Sequence, residues 1–187
     1  MLKQLLLITA LAVAIGTTCA AAPIFGFATS TPIVTLGNNF TVDVTVTGAV
    51  DLYDWQLDVQ WLPADRASAS NVTEGPFLGA GTTFLPGNID NVNGMITFMA
   101  DTLNGMVPGA NGAGVLAHIL YSSLTSGILN FSLANVLADD SQGNPIVPGP
   151  STGLAVTIVP NSTVPEPATF GLLAMGLALG AVVRRRT

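Results

Sequence analysis

Between Phe40 and Trp61 apolar and polar residues alternate with a period of two, a pattern that buries one side of a strand and cannot be buried along a helix. Phe40, Val42, Val44 and Val46 alternate with Thr41, Asp43, Thr45 and Thr47, and Gly48 is expected to close that strand. Tyr53, Trp55, Leu57, Val59 and Trp61 then alternate with Asp54, Gln56, Asp58 and Gln60 until Pro63 stops the pairing. Residues 64 to 82 lose the alternation and contain Gly75-Pro76, Gly79 and Gly81, which predicts an irregular crossing. A hairpin is predicted from Thr83 to Asp101 around Asn91-Val92-Asn93-Gly94, with Ile96 and Phe98 on one side. After the glycine-rich stretch Gly105 to Gly114, Ala117, Ile119 and Tyr121 share a face opposite His118. Leu129, Phe131 and Leu133 continue the apolar set, and Leu154, Val156 and Ile158 make the last strand. No helix is expected between Pro23 and Pro160. The sum is an all-β, two-layer jelly-roll sandwich of about nine strands.

Both ends of the chain carry different chemistry. Lys3, the apolar run Leu5 to Gly16 and the small residues around Thr18-Cys19-Ala20-Ala21 form a secretory signal peptide, residues 1–22, drawn as an N-terminal helix. Gly16 and Thr18 do not fit a lipidation box before Cys19. Cys19 is the single cysteine, so a mature domain spanning 23–160 holds no disulfide and stands on its core alone. Residues 161–187 contain Val164-Pro165-Glu166-Pro167, an uncharged run from Ala168 to Val183, and Arg184-Arg185-Arg186. As a helix, the run at 168–183 reaches roughly 24 Å, a short but usable transmembrane span whose arginines mark the cytoplasmic side. This tail resembles the PEP-CTERM sorting signal of Gram-negative bacteria. The resemblance implies recognition of Pro165, Glu166 and Pro167 by an exosortase-type membrane protease. It also implies export across the inner membrane, transient anchoring with Arg184, Arg185 and Arg186 inside, and delivery to the cell surface or extracellular matrix.

Charge narrows the partners. With Lys3 and the three terminal arginines in the ends, Arg66 alone faces ten acids in 23–160, a formal charge of −9. Such a surface repels nucleic acid and anionic lipid, and leaves glycans, cationic partners and divalent metals. Catalytic motifs are scarce. His118 is the one histidine and lies mid-strand with no acid beside it in sequence. Asp54 and Asp58 share a strand face, but four residues separate them by ~13.6 Å, beyond the roughly 5 to 9.5 Å of a glycosidase pair. No catalytic residue is therefore assigned.

Asp139, Asp140 and Asn144, in the loop Asp139-Asp140-Ser141-Gln142-Gly143-Asn144, offer oxygen ligands and form the one calcium candidate carried forward. Asp90, Asn91 and Asn93 make a similar group, and neither has the spacing and terminal glutamate of a calcium loop. No other cofactor is expected. Tyr53, Trp55 and Trp61 fall in phase with Leu57 and Val59 and are assigned to the core, so the solvent side of that strand, Asp54, Gln56, Asp58 and Gln60, becomes the candidate ligand face.

Phe40-Thr41-Val42-Asp43-Val44, Leu52-Tyr53-Asp54-Trp55-Gln56-Leu57-Asp58-Val59 and Val72-Thr73-Glu74-Gly75-Pro76-Phe77 resemble a cohesin domain. So do Gly94-Met95-Ile96-Thr97-Phe98, Gly112-Ala113-Gly114-Val115-Leu116-Ala117 and the loop from Asp139 to Asn144 before Ile146. The resemblance, from Thr31 to Ile158, implies a nine-stranded sandwich related to carbohydrate-binding modules, a fold that in cellulosomes receives dockerins. The expectation is a non-catalytic, monomeric, surface-sorted binding module for exopolysaccharide or other glycan, with a part in biofilm or envelope structure. The alternatives are a receptor for a dockerin-bearing enzyme of polysaccharide breakdown and a carboxylate-dependent glycan hydrolase.

Overall fold

A computed structural model of the chain describes residues 22–161. The predicted signal helix, the apolar tail and the Pro-Glu-Pro site lie outside the described residues. Among the described residues no helix is long and apolar enough to cross a membrane. The described residues form ten strands: β1 Ile24–Ala28, β2 Ile33–Thr35, β3 Asn39–Leu62, β4 Ala67–Glu74, β5 Thr82–Leu85, β6 Asn88–Asp90, β7 Met95–Leu103, β8 Ala110–Ser123, β9 Gly127–Asp140 and β10 Leu154–Val159. A single 3-10 turn, Ala64–Arg66, separates β3 from β4.

The long strand β3 creates the two layers. Asn39 pairs with Ser122 and Leu62 with Asn130, so both ends of β3 lie where β8 passes into β9. The chain must reverse between them, and it does so around Gly48, at φ +70°, and Asp51, at φ +56°. The first half of β3 pairs with β1 and β8, and β4 adds to β8. The second half lies between β9 and β7 in the order β2-β10-β9-β3-β7-β5, with β6 also on β7. Gly48 was expected to close a strand; instead it bends the chain while β3 continues through it, because the ladder to β8 is kept beyond the bend at Ala49 and Leu52.

Between the layers, Phe40, Val42, Val44 and Val46 from the first half of β3 meet Trp55, Leu57, Val59 and Trp61 from the second, all of them buried. Ala117, Ile119 and Tyr121 enter from β8 and Leu129 and Phe131 from β9. Tyr121 stacks on Phe40 at 5.5 Å and meets the edges of Trp61 and Phe131 at 5.3 and 5.2 Å. The Trp61 indole N–H donates to the Ala67 carbonyl at 3.1 Å, whereas the indole N–H of the other core tryptophan, Trp55, has no partner among the described residues. Truncating a buried tryptophan of this kind to alanine costs about 3 to 5 kcal/mol.

The sequence expectations need four corrections. Residues 67–74 form a regular strand on β8 where a crossing was predicted, because the register shifts between Ala69 and Asn71 and the inward residues Ala67, Ala69 and Val72 lose a constant period. Tyr53 is half-buried and out of phase with Trp55, since Leu52 and Asp54 face the consecutive residues Asp140 and Asp139 and Tyr53 bulges between them. Phe98 does not join Ile96 in the core: it is 55% exposed, at φ +59°, in a bulge of β7 opposite Leu57 to Val59. The strand count is ten, one more than expected, because short β6 pairs separately with β7.

The two ends of the sandwich differ. Val159, Gly127, Arg66 and Asn39 gather at one end, where the chain continues toward its tail. Leu52, Ala110 and Asp140 meet at the other, distal end.

Candidate functional site

The outward side of β9, β3, β7 and β5 carries the predicted ligand face in two ladder rows. Asp139, Asp54, Thr102 and Thr83 lie opposite one another across the four strands, and Leu137, Gln56, Ala100 and Leu85 form the next row. Leu137 and Leu85 are 60% and 45% exposed. A shallow hollow of about 340 Å³ follows these rows between Leu137 and Leu85. Beside it, Leu85, Pro86, Asn88, Thr97 and the Phe98 ring line a second depression of about 300 Å³.

Asp58 holds this surface in shape. One of its oxygens accepts the Phe98 backbone N–H at 2.7 Å, and the other accepts the Asn135 side-chain amide at 2.6 Å. Phe98 and Asn135 both have positive φ, 59° and 50°, and each belongs to a bulge flanking β3 on one side. A carboxylate on the central strand therefore pins a left-handed residue on each neighbour, and the ring of Phe98 is turned to solvent as a result. Of the four predicted ligand residues, Asp54 and Gln56 lie in the rows, Asp58 is occupied by the backbone it braces, and Gln60 lies farther along between Ser132 and Met95. Phe98, Leu137 and Leu85 were missed. The adjacency of Val136 and Leu137 was the available signal, since two neighbouring apolar residues in a strand cannot both point inward.

The electrostatics of the face come from Asp54 and Asp139. Partial burial first, and then the neighbouring Asp139 charge, raise the Asp54 carboxyl above the usual carboxylate range. The calcium candidate is divided by the same strand geometry. Asp139 faces outward beside Asp54, whereas Asp140 accepts the backbone N–H groups of Gln142 and Asn144 at 2.9 and 2.8 Å and the Asn144 side-chain amide at 2.9 Å. These bonds, the Asn144 side chain foremost, hold the Asp140 carboxyl low. Asp90 caps its own turn in the same way, through Asn93 and Val92. Asp51, at the β3 reversal, accepts Ser141 Oγ at 2.7 Å and the Gly109 N–H at 2.6 Å and ties three loops together at the distal end. Among the described residues no group of three or more His, Cys, Asp or Glu side chains gathers as metal ligands would. His118 has no acid beside it in sequence but meets one across the ladder: its Nδ1 lies 2.7 Å from Asp43 on the outer side of the other layer.

Solved structures that resemble this sandwich include cohesins. A type II cohesin from the cellulosome of Acetivibrio cellulolyticus superposes with a TM-score of 0.62 at 11% identity, over 72% of this chain and 95% of that one. The non-cellulosomal cohesin of the archaeon Archaeoglobus fulgidus gives 0.58 at 13% identity, over 74% and 92%. The sixth cohesin of scaffoldin B from Acetivibrio cellulolyticus, solved in complex with a Cel5 dockerin variant, gives 0.59 at 16%, over 74% and 100%. The domain has a cohesin-like fold. No curated protein matches the sequence. A second comparison covers the tail: the PEP-CTERM protein-sorting motif matches residues 163–186. The cohesin-like domain is thus followed directly by a sorting signal, which marks the chain for export. The candidate face is carried on the β9-β3-β7-β5 side of the cohesin-like sandwich.

Proposed function

We propose that this chain is a non-catalytic, exported binding module that takes an exopolysaccharide or other glycan on the outward face of β9, β3, β7 and β5. The supporting observation is Phe98, an aromatic ring held in solvent by a left-handed backbone that Asp58 stabilises. Backbone strain of this kind collects where a side chain must be presented to a ligand. The ring offers a stacking surface, Gln56 stands one row away, and Asp54, Thr102 and Thr83 stand a further row along, where an extended glycan would present its hydroxyls. Export ends, on this reading, at the surface or matrix of a Gram-negative bacterium after an exosortase-type protease acts at Pro165-Glu166-Pro167. A glycan array with the wild type and Phe98→Ala, run with calcium and with chelator, tests the site. Binding by the wild type and a loss of about tenfold in the variant are expected, tenfold corresponding to ~1.4 kcal/mol. A blank array for the wild type defeats the glycan reading.

One observation favours a protein ligand instead. In the row Leu137, Gln56, Ala100 and Leu85 every side chain but Gln56 is aliphatic, and the exposed Leu137 and Leu85 would bury well under a helical partner. A dockerin carried by a polysaccharide-degrading enzyme is the partner this suggests, as in the complex of the scaffoldin cohesin. Capture of dockerin modules by the wild type, abolished in Leu137→Glu and retained in Phe98→Ala, would select it over the glycan.

A further inference from the structure

At the distal end of the sandwich one carboxyl group is enclosed between the layers. Asp101, on β7, is 2% exposed and lies in the ladder row of Trp55 on β3 and Phe84 on β5. Its Oδ1 accepts the Thr102 N–H at 2.9 Å. Glu74, the exposed last residue of β4 in the other layer, reaches this edge: its carboxyl accepts the hydroxyl of Thr82, which pairs with Leu103 two positions along β7 from Asp101. A buried carboxyl from one layer and an exposed one from the other are thereby brought to the same edge. Arg66, the one Lys or Arg among the described residues, is bound to the Ile128 carbonyl at the tail end, and His118 is paired with Asp43.

We propose that Asp101 and Glu74 form a proton-held latch between the two layers, closed while Asp101 keeps a proton to donate toward Glu74 and loosened once Asp101 ionises. The surroundings contain no other group that could set this behaviour. β3 presents Trp55 and β5 presents Phe84, residues 75 to 81 carry no titratable side chain, and Asp54 and Asp139 stand on the outward side of the layer. A proton on Asp101 converts a repulsion into a carboxyl–carboxylate hydrogen bond, and the enclosure of Asp101 favours its neutral form. Burial first, then the charge of Glu74, push the Asp101 carboxyl up to about 7. The latch joins the β5–β7 edge to the end of β4, which the bonds from the Gly75 and Phe77 N–H groups to Leu116 and Val115 keep on β8. Because β5 also carries Thr83 and Leu85, opening the latch would loosen one side of the docking face; that consequence rests on the proposed function, while the latch itself does not.

The folded pKa of Asp101 lies above its unfolded value of 3.8, so its contribution is fully present below about 4 and is lost as pH rises through about 7. The test uses the exported protein in detergent. Carbon-13 NMR should show Asp101 titrating at about 7. Thermal melts of the wild type should fall between pH 5 and 8. Asp101→Asn, which keeps an acceptor for Thr102 and gains a donor for Glu74, should remove its share of that fall and melt higher than wild type at pH 8 by about 2 °C or more. Glu74→Gln should lower the Asp101 midpoint and flatten the slope, and it serves if Asp101→Asn does not fold. An Asp101 midpoint below 5, or a Glu74→Gln variant with the wild-type midpoint and slope, overturns the latch.

Discussion

Asp58 shows how much one side chain settles here. Its alternation with Trp55 and Leu57 suggests a free surface acid, yet both of its oxygens are bonded to bulged neighbours. Asp58→Ala should therefore cost about 2 kcal/mol, read as a lower Tm, and should also broaden the environment of Phe98 in NMR spectra. Asp58→Asn keeps one acceptor and should cost less. The turn acids behave differently with pH. Asp51, Asp90 and Asp140 are held low by hydrogen bonds from Ser141, Asn93 and Asn144 respectively. A depressed folded pKa gives stability that is present above the unfolded value near 3.8 and lost as pH falls through the folded value. Melts should consequently drop below about pH 4, and Asp140→Asn should weaken that acid dependence.

At the scale of the element, the β6–β7 hairpin carries the most information per residue. Asn93-Gly94 predicted it, and Gly94 takes φ +67° as a four-residue turn requires. An added Cβ at Gly94 would lie 2.4 Å from the Trp61 carbonyl oxygen, and the Gly94 carbonyl accepts the Trp61 N–H at 2.8 Å. Gly94→Ala should cost about 3 kcal/mol, from positive φ and from the clash together, measured by chemical denaturation. Asn91 in the same turn reaches the other layer: its amide accepts from the Ala69 N–H at 2.8 Å and donates to the Ala69 carbonyl at 3.1 Å. It thereby occupies the free edge of β4 just where the strand bulges, which protects that edge from pairing with another chain. The hairpin was legible because its turn chemistry is local. β4 was not, since its identity as a strand depends on β8 and its bulge erases the period.

Across the whole molecule, charge and tether are arranged along one axis. The chain leaves β10 at the end that holds Arg66, while Asp51, Asp54, Asp139, Asp140 and the Asp101–Glu74 pair lie toward the other. A surface of this sign lowers affinity for anionic lipid and nucleic acid and favours a monomer in solution. Sedimentation of the tail-free protein as a dimer at micromolar concentration would contradict that. If, as proposed, an exosortase-type protease reads Pro165-Glu166-Pro167 and residues 168–183 span the membrane, replacing the three with alanine should leave the protein in the membrane with its tail uncut. Mass spectrometry of wild-type surface extracts should contain no peptide running from Phe170 to Arg184.

Sequence alone determined the features that depend on local order: the strand character of Phe40 to Val46 and Trp55 to Trp61, the Asn-Gly turn, and a sorting tail read from the sequence of Pro-Glu-Pro, apolar run and arginines. Period-two alternation and turn chemistry act within a few residues, so they can be read without knowing what lies opposite. Tertiary structure decided everything set by cross-strand register. It turned Phe98 outward, set Asp58 between two bulges, parted Asp139 from Asp140, and brought Asp101 to the same edge as Glu74 from a strand twenty-seven positions away. A single inserted residue in a ladder reverses which side the next side chain faces, and the burial that raises a carboxyl's pKa exists only once two layers have closed over it.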